Sequence, residues 1–346
     1  MNNSYSKILI TGSAGFIGSH LFDRLASLGY EVYGLDDLSG GFMHNVSRPD
    51  RFVKLDLRDR AAVALYIEQL KPEAIFHLAA DATEGRSQFT PFSAIDRNLV
   101  ATNNLLIPAI KSGALKKFVL VSSMSVYGKQ QTPFNEDMIP QPEDIYGIAK
   151  ASMERAVWVM SEVYGFDYTI IRPHNVYGPR QNLSDPYRNV IGIFINRLMQ
   201  GKNFYVYGDG SQKRAFSYID DIIDGMVKAF HSPKCSRQVL NLGADEAYTL
   251  NELASAVLEG YFGNAIYADQ FKPTYLPDRP QEVRYAFCSH DKARELIGYE
   301  AHVDLREGLR RMIEWAKSMG PQEFTYLQEL DLVNDSVPET WKKKLI

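Results

Sequence analysis

Lys7-Ile-Leu-Ile10-Thr11-Gly12-Ser-Ala-Gly15-Phe-Ile-Gly18 is an apolar run that enters a glycine-rich turn. Lys7 to Ile10 reads as a buried strand, and Phe16 to Leu28 as a helix closed by Gly29. In that order, the first helix N–H groups point at whatever sits over the turn, and glycine lets the backbone approach it closely. The segment reads as a site for a dinucleotide pyrophosphate, with Gly12, Gly15, Phe16, Ile17 and Gly18 against it. The next strand, Glu31 to Leu35, ends at Asp36-Asp37. A carboxylate there bonds the adenosine ribose hydroxyls and repels a 2′-phosphate. No arginine follows before Arg48, so Asp36 favours NAD over NADP. Asp56 has two readings, an adenine contact beside Leu57 or a helix cap.

The alternation continues. Strands are expected at Phe52 to Leu55, Ala74 to Leu78, Phe118 to Ser122 and Tyr168 to Arg172. Helices are expected at about Asp59 to Leu70, Ala94 to Lys111, and from Tyr146 to Tyr164. This predicts an α/β chain with a doubly wound parallel sheet. Pro108 should bend or shorten its helix. Past Arg172 the loops lengthen, and Gly, Pro and aromatic residues cluster, which predicts a smaller mixed lobe. The expected division is a dinucleotide-binding domain at 1–172 with a return segment around 215–245. A substrate lobe follows at 173–214 and 246–316, then a C-terminal extension at 317–346. That extension carries Phe324, Leu327, Leu330, Leu332, Val333 and Trp341, and packs either on the body or on a partner subunit.

Tyr146 and Lys150 stand four apart, on one helix face. An ammonium beside a phenol favours the phenolate, which makes Tyr146 a base. A base next to a hydride acceptor implies carbinol oxidation. Composition narrows the class. The 346 residues are 45% hydrophobic with a net charge of −4, so a core forms and no basic nucleic-acid footprint is present. Two cysteines, Cys235 and Cys288, point to a reducing, cytoplasmic setting without a disulfide framework. No stretch approaches the ~18 apolar residues of a membrane span, and Met1 to Lys7 is too polar for a signal peptide. Seven scattered histidines show no metal-binding spacing.

At this point the chain resembles the extended short-chain dehydrogenases, in their nucleotide-sugar epimerase and dehydratase group. The matching segments are Thr11-Gly-Ser-Ala-Gly-Phe-Ile-Gly18, His77-Leu-Ala-Ala80, Ser122-Ser-Met-Ser-Val-Tyr-Gly128 and Tyr146-Gly-Ile-Ala-Lys150. They continue with Arg172-Pro-His-Asn-Val-Tyr-Gly-Pro179, Arg214-Ala-Phe-Ser-Tyr-Ile-Asp220 and Arg279-Pro-Gln-Glu282, so the likeness spans about residues 7 to 315. The resemblance implies a Rossmann sheet, bound NAD against Leu78, Ala79 and Ala80, and a triad of Ser123, Tyr146 and Lys150. It also implies a homodimer built on the helix of Tyr146, whose stripe of Ala149, Met153, Ala156, Val157, Met160 and Val163 suits either that contact or the sheet.

Departures choose the branch. Family 4,6-dehydratases follow the catalytic Ser/Thr with Asp-Glu, and decarboxylases keep the Glu; this chain has Met124-Ser125. The 3,5-epimerases need a cysteine where Ser125 stands and a lysine near Asn189; both are missing. What remains is 4-epimerisation of a nucleotide sugar, by oxidation of the 4-hydroxyl and hydride return to the other face. A net 4-dehydrogenase shares these motifs. An NAD-sensing binding protein and a reductase of free carbonyls are the readings from other classes.

By the same resemblance, Asn175 and Asn189 hold the substrate, Arg214 and Arg279 clamp its diphosphate, and Glu282 meets the base-side ribose. Tyr207 lies against the base or in the core; Asp81 and Thr83 face the sugar or cap a loop. Arg86 meets a substrate carboxylate or does not. Ala286 stands where many 4-epimerases carry a tyrosine, which makes room for an N-acetylhexosamine or a uronic acid; a one-residue shift would put Tyr285 there instead.

Overall fold

The computed structural model describes residues 5–263, 271–279, 283–327 and 329–346. Seven parallel strands form the main sheet: β1 (Ile8–Thr11), β2 (Val32–Asp36), β3 (Phe52–Lys54), β4 (Ala74–His77), β5 (Lys117–Val121), β6 (Asp167–Pro173) and the late strand Gln238–Leu242. In space the late strand comes first, followed by β6, β5, β4, β1, β2 and β3. Helices cover both faces, so the inner strands are apolar on both sides. Ile8 and Ile10 join one core layer and Leu9 the other. The order reverses between β4 and β1, and a crevice opens there at the strands' carboxyl ends. Gln238–Leu242 returns to the sheet through register such as Leu240 with Ile171, after the chain has left it at Pro173.

The expected single helix from Ala94 to Lys111 is two segments, Pro91–Ile95 and Ala101–Lys111, joined by a wide π-type turn at Asp96–Val100. Side chains complete its bonding: the Asn98 amide donates to the carbonyls of Asp81 and Ala94, and the Thr102 hydroxyl donates to that of Asn98. Pro108 does not shorten the second segment, which continues to Lys111. The helix bearing Tyr146 and Lys150 is Ile145–Tyr164, capped at its start by Asp144 and closed by Gly165 at φ +81°. Ala149, Met153 and Val157 of the stripe are buried, the latter two in the core layer under the sheet. The smaller lobe holds short sheets around the strands Tyr205–Tyr207 and Lys213–Ala215, with helices Val190–Met199, Leu250–Phe262 and Leu305–Met319 packed in one core. Among the described residues no helix is long and apolar enough to cross a membrane.

Candidate active site

One cleft of about 890 Å³ runs from the glycine turn to the smaller lobe. At its sheet end Gly12 has φ +70°, and a Cβ there would lie 2.8 Å from the Ala79 nitrogen. A Cβ on Gly18 would lie 2.1 Å from the Gly12 oxygen. Only glycine closes this turn. The helix that follows, Phe16–Ser27, has no side-chain cap and no acid in its first turn, so its N–H groups are left for an anion. Asp36 is buried at the end of β2, accepting from Ala14 N at 3.1 Å and Leu38 N at 2.8 Å. Burial pushes its carboxyl up, against the pull of those N–H groups. The cradle and the carboxylate fit NAD. Leu57, Leu78, Ala79 and Ala80 line the same space.

Two arginines that the order of the chain hid reach this end. Arg58 forks onto Asp56, with Nη2 2.6 Å from Oδ2, and Arg97 bonds Asp37 at 3.0 Å. Their partners largely neutralise them, which leaves Asp36 to repel a 2′-phosphate. Asp56 lines the cleft beside Leu57 and holds Arg58; it is not the helix cap, since Asp59 caps the helix Arg60–Leu70.

Ser123 follows β5 in the cleft with Tyr146 and accepts from Ser125 N at 3.1 Å. Gly147 sets the approach of the two segments, since a Cβ there would lie 2.9 Å from the Ser125 oxygen. Lys150 Nζ lies 5.7 Å from the Tyr146 ring centre and donates to Val121 O at 2.8 Å. Lowering of the Tyr146 pKa by Lys150 is not what the isolated chain displays. Burial pushes the phenol up, aided by Glu84 and Asp144 and opposed by the Ser123 hydroxyl and by Arg188. Burial also brings Lys150 down to about 7, against the pull of Glu154 one turn on. Glu154 is itself held by Arg172, at 2.6 and 2.9 Å, and by Ser122 at 2.5 Å. Met124 and Ser125 lie beside Ser123 in the cleft.

At the far end, Asn175 and Asn189 line the cleft in left-handed backbone, which asparagine tolerates best after glycine. The Asn175 amide donates to Ala215 O at 2.9 Å. Arg214 lines the cleft while donating to the carbonyls of Val283 and Arg284. Arg279 lies over the Tyr207 ring at 5.0 Å, and the Tyr207 hydroxyl bonds Thr340 of the C-terminal extension. Glu282 lies outside the described residues. Asp81 borders the cleft, but its oxygens accept from Arg86 at 2.7 and 2.9 Å, Thr83 at 2.6 Å and Ser93 at 2.6 Å. These bonds anchor the loop of Asp81 and Thr83, both of which line the cleft, and give Arg86 a carboxylate of its own chain. Ala286 is buried and lines the cleft, whereas Tyr285 points to solvent. Sequence reasoning missed Arg188, which lines the cleft, pairs with Asp185 at 2.6 Å and extends its charge to Tyr146 and Asp81. It adjoins Asn189 in sequence, but no spacing rule marks it.

Residues 8–243 match the model of the NAD dependent epimerase/dehydratase family, and the chain belongs to that family. It is 35% identical to a UDP-glucose 4-epimerase of Mycolicibacterium smegmatis, over 90% of this chain and 99% of the relative. Among solved structures, a UDP-glucose 4-epimerase of Thermotoga maritima with UDP-glucose superposes with a TM-score of 0.82 at 35% identity, covering 90% of this chain and 99% of that one. A UDP-glucuronic acid 4-epimerase of Bacillus cereus, with UDP-glucuronic acid and NAD, does so with 0.81 at 29% identity and the same coverage.

Proposed function

We propose that this chain is an NAD-dependent nucleotide-sugar 4-epimerase. The observation that carries this reading is the meeting of Ser123, Tyr146 and Lys150 in the glycine-turn cleft, where the two residues after Ser123, Met124 and Ser125, are neither acid nor base. Gly12, Gly15, Phe16, Ile17, Gly18 and Asp36 would hold NAD, whose nicotinamide supplies a reversible hydride acceptor. Ser123 holds the sugar 4-hydroxyl. Tyr146 removes its proton as the carbinol is oxidised, and returns a proton when the carbonyl is reduced on its other face. Lys150 lies 5.7 Å from the ring of that phenol, and the charge of Arg188 reaches it. Arg214 and Arg279 take the diphosphate, to which guanidinium forks are suited. Asn175 and Asn189 orient the sugar. Dehydration and decarboxylation each need a further acid or base beside Ser123, where Met124 and Ser125 supply none.

The UDP-sugar 4-epimerase relatives support a uridine diphosphate sugar as substrate. Ala286 in the cleft supports a sugar with a bulky substituent, an N-acetyl or a uronate group. Cys235 and Cys288 are buried free thiols, which suits the cytoplasm. A homodimer is supported by exposed apolar side chains on the helix Ile145–Tyr164, namely Ile148, Val159 and Val163, with Arg155 stacked on Trp158 at 4.0 Å. Val163 is the member of the expected stripe that faces out, while Ala149, Met153 and Val157 are buried.

The test is incubation with UDP-glucose, UDP-N-acetylglucosamine and UDP-glucuronic acid, without added NAD, followed by NMR of the products. The C4 epimer should form without net NADH. NADH equal to the sugar consumed would convert the assignment to a 4-dehydrogenase. Tyr146→Phe should lower kcat about 10²–10⁴-fold and leave UDP-sugar affinity near wild type.

A further inference from the structure

Residues 321–327 and 329–346 cross the mouth of the cleft and are bonded to both of its walls. On the lobe side, Gln322 exchanges two bonds with Asn196, both 2.9 Å, and Thr325 N donates to Ser184 O at 2.8 Å. Leu345 O accepts from Arg197 at 3.0 Å. On the sheet side, Asp331 N donates to Phe89 O at 2.9 Å, and the Asp331 carboxylate accepts from Phe92 N at 3.0 Å, at the start of the helix Pro91–Ile95. Between these anchors Trp341 is buried edge-on against Phe89 and Tyr187, at 6.2 and 5.3 Å. The Tyr187 ring in turn supports Arg86, the partner of Asp81.

The wedge sits at the end of the cleft assigned to the nucleotide. The Trp341 ring reaches 3.6 Å from where a Cβ on Gly85 would stand, and Arg279 Nη1 reaches 3.7 Å from that same point. Thr340, fully buried beside Trp341, bonds the Tyr207 hydroxyl, while Arg279 lies on the Tyr207 ring. One side of the strap therefore fixes the two side chains expected to hold the diphosphate and base. The relatives matched over 99% of their own length leave about a tenth of this chain unmatched. The family segments end near residue 315, so this stretch is an addition to the shared fold.

Resting on the epimerase reading, we infer that residues 321–327 and 329–346 are a clasp over the nucleotide end of the cleft, with Trp341 and Thr340 as positioning residues that keep the 4-keto sugar from leaving. A 4-epimerase must let the oxidised sugar present its other face while the nucleotide stays held. Separating the two walls, which release requires, breaks the bonds of the clasp on one of them. If the keto sugar escapes, its hydride stays behind on the cofactor and its hydroxyl proton on Tyr146. One NADH is then left for each sugar lost.

Trp341→Ala and Thr340→Val, prepared with bound cofactor, test this beside the wild type. The readouts are UDP affinity by calorimetry, KM for UDP-glucose, UDP-N-acetylglucosamine and UDP-glucuronic acid, NAD content, and absorbance at the NADH band during turnover. Trp341→Ala should weaken UDP and raise KM about tenfold, a typical loss for one aromatic contact with its burial, with NAD content unchanged. The NADH band should grow with time, which wild type does not show. Trp341→Phe should recover most of the KM. Unchanged UDP affinity and a flat NADH band in Trp341→Ala would overturn the clasp. So would a fall in NAD content parallel to the fall in UDP affinity, since that marks general loss of structure. Should Trp341→Ala not fold, Thr340→Val, which removes one hydroxyl from the Tyr207 bond, decides by the same two readouts. A wild type that turns over none of the three sugars refutes the epimerase reading itself, whatever the variants do.

Discussion

Lys150 carries a proton balance that can be measured apart from catalysis. Its ammonium sits at about 7 in the folded chain against an ordinary value of 10.5, because burial disfavours the charge. Between those values the unfolded chain binds a proton that the folded chain lacks, so stability rises with pH across that window. The cofactor-free protein should gain up to about 1.4 kcal/mol per pH unit there, less whatever other groups contribute. Urea unfolding at several pH values checks it; a Lys150→Met profile with an undiminished slope would show that another group is responsible. Asp81 and Arg86 make a second residue-scale prediction. Both are largely buried, and removing one partner leaves the other charge unpaired. Arg86→Leu should cost about 3–5 kcal/mol in urea unfolding, and adding Asp81→Asn should restore part of it.

The helix Ile145–Tyr164 does its work through where it starts. Asp144 caps it by accepting from Gly147 N at 2.7 Å, and the bare Cα of Gly147 lets the first turn touch the loop of Ser123. A methyl group at 147 would meet backbone and the Pro142 ring, both at 2.9 Å, so the helix start must move. Gly147→Ala should lower kcat about 10²-fold, since small displacements of a catalytic group are costly, while NAD affinity by calorimetry stays within a few-fold. A variant with normal kcat would show that the contact is slack. The wide turn at Asp96–Val100 is a second feature of element scale. No periodicity announces it, because it depends on Asn98 finding Asp81 O and Ala94 O across a loop.

At the scale of the molecule, the proposed dimer and the C-terminal extension are the open surfaces. Val163 is 67% exposed and Val159 43% exposed on a helix whose opposite face is core. Sedimentation of the wild type should give twice the chain mass, and Val159→Glu with Val163→Glu should give the monomer, because paired like charges in an apolar contact are costly. A monomeric wild type removes the proposal.

Local pattern in the chain is enough for the parallel sheet, the NAD cradle and the shared helix face of Tyr146 and Lys150, while Ser123 joined them by family resemblance. Those depend on local patterns: apolar runs of strand length, glycines at a turn, a four-residue helical spacing. It also carried the branch of chemistry, since Met124 and Ser125 are neighbours of Ser123 in the chain. Packing settled what meets across long separations. It put Arg97 on Asp37, 60 residues away in the chain, and turned Ala286 rather than Tyr285 into the cleft. It raised Tyr146 and lowered Lys150, because desolvation depends on everything packed around a group and not on the residue four places away. And it laid Trp341 between Phe89 and Tyr187, a contact among three distant segments that no local pattern in the chain encodes.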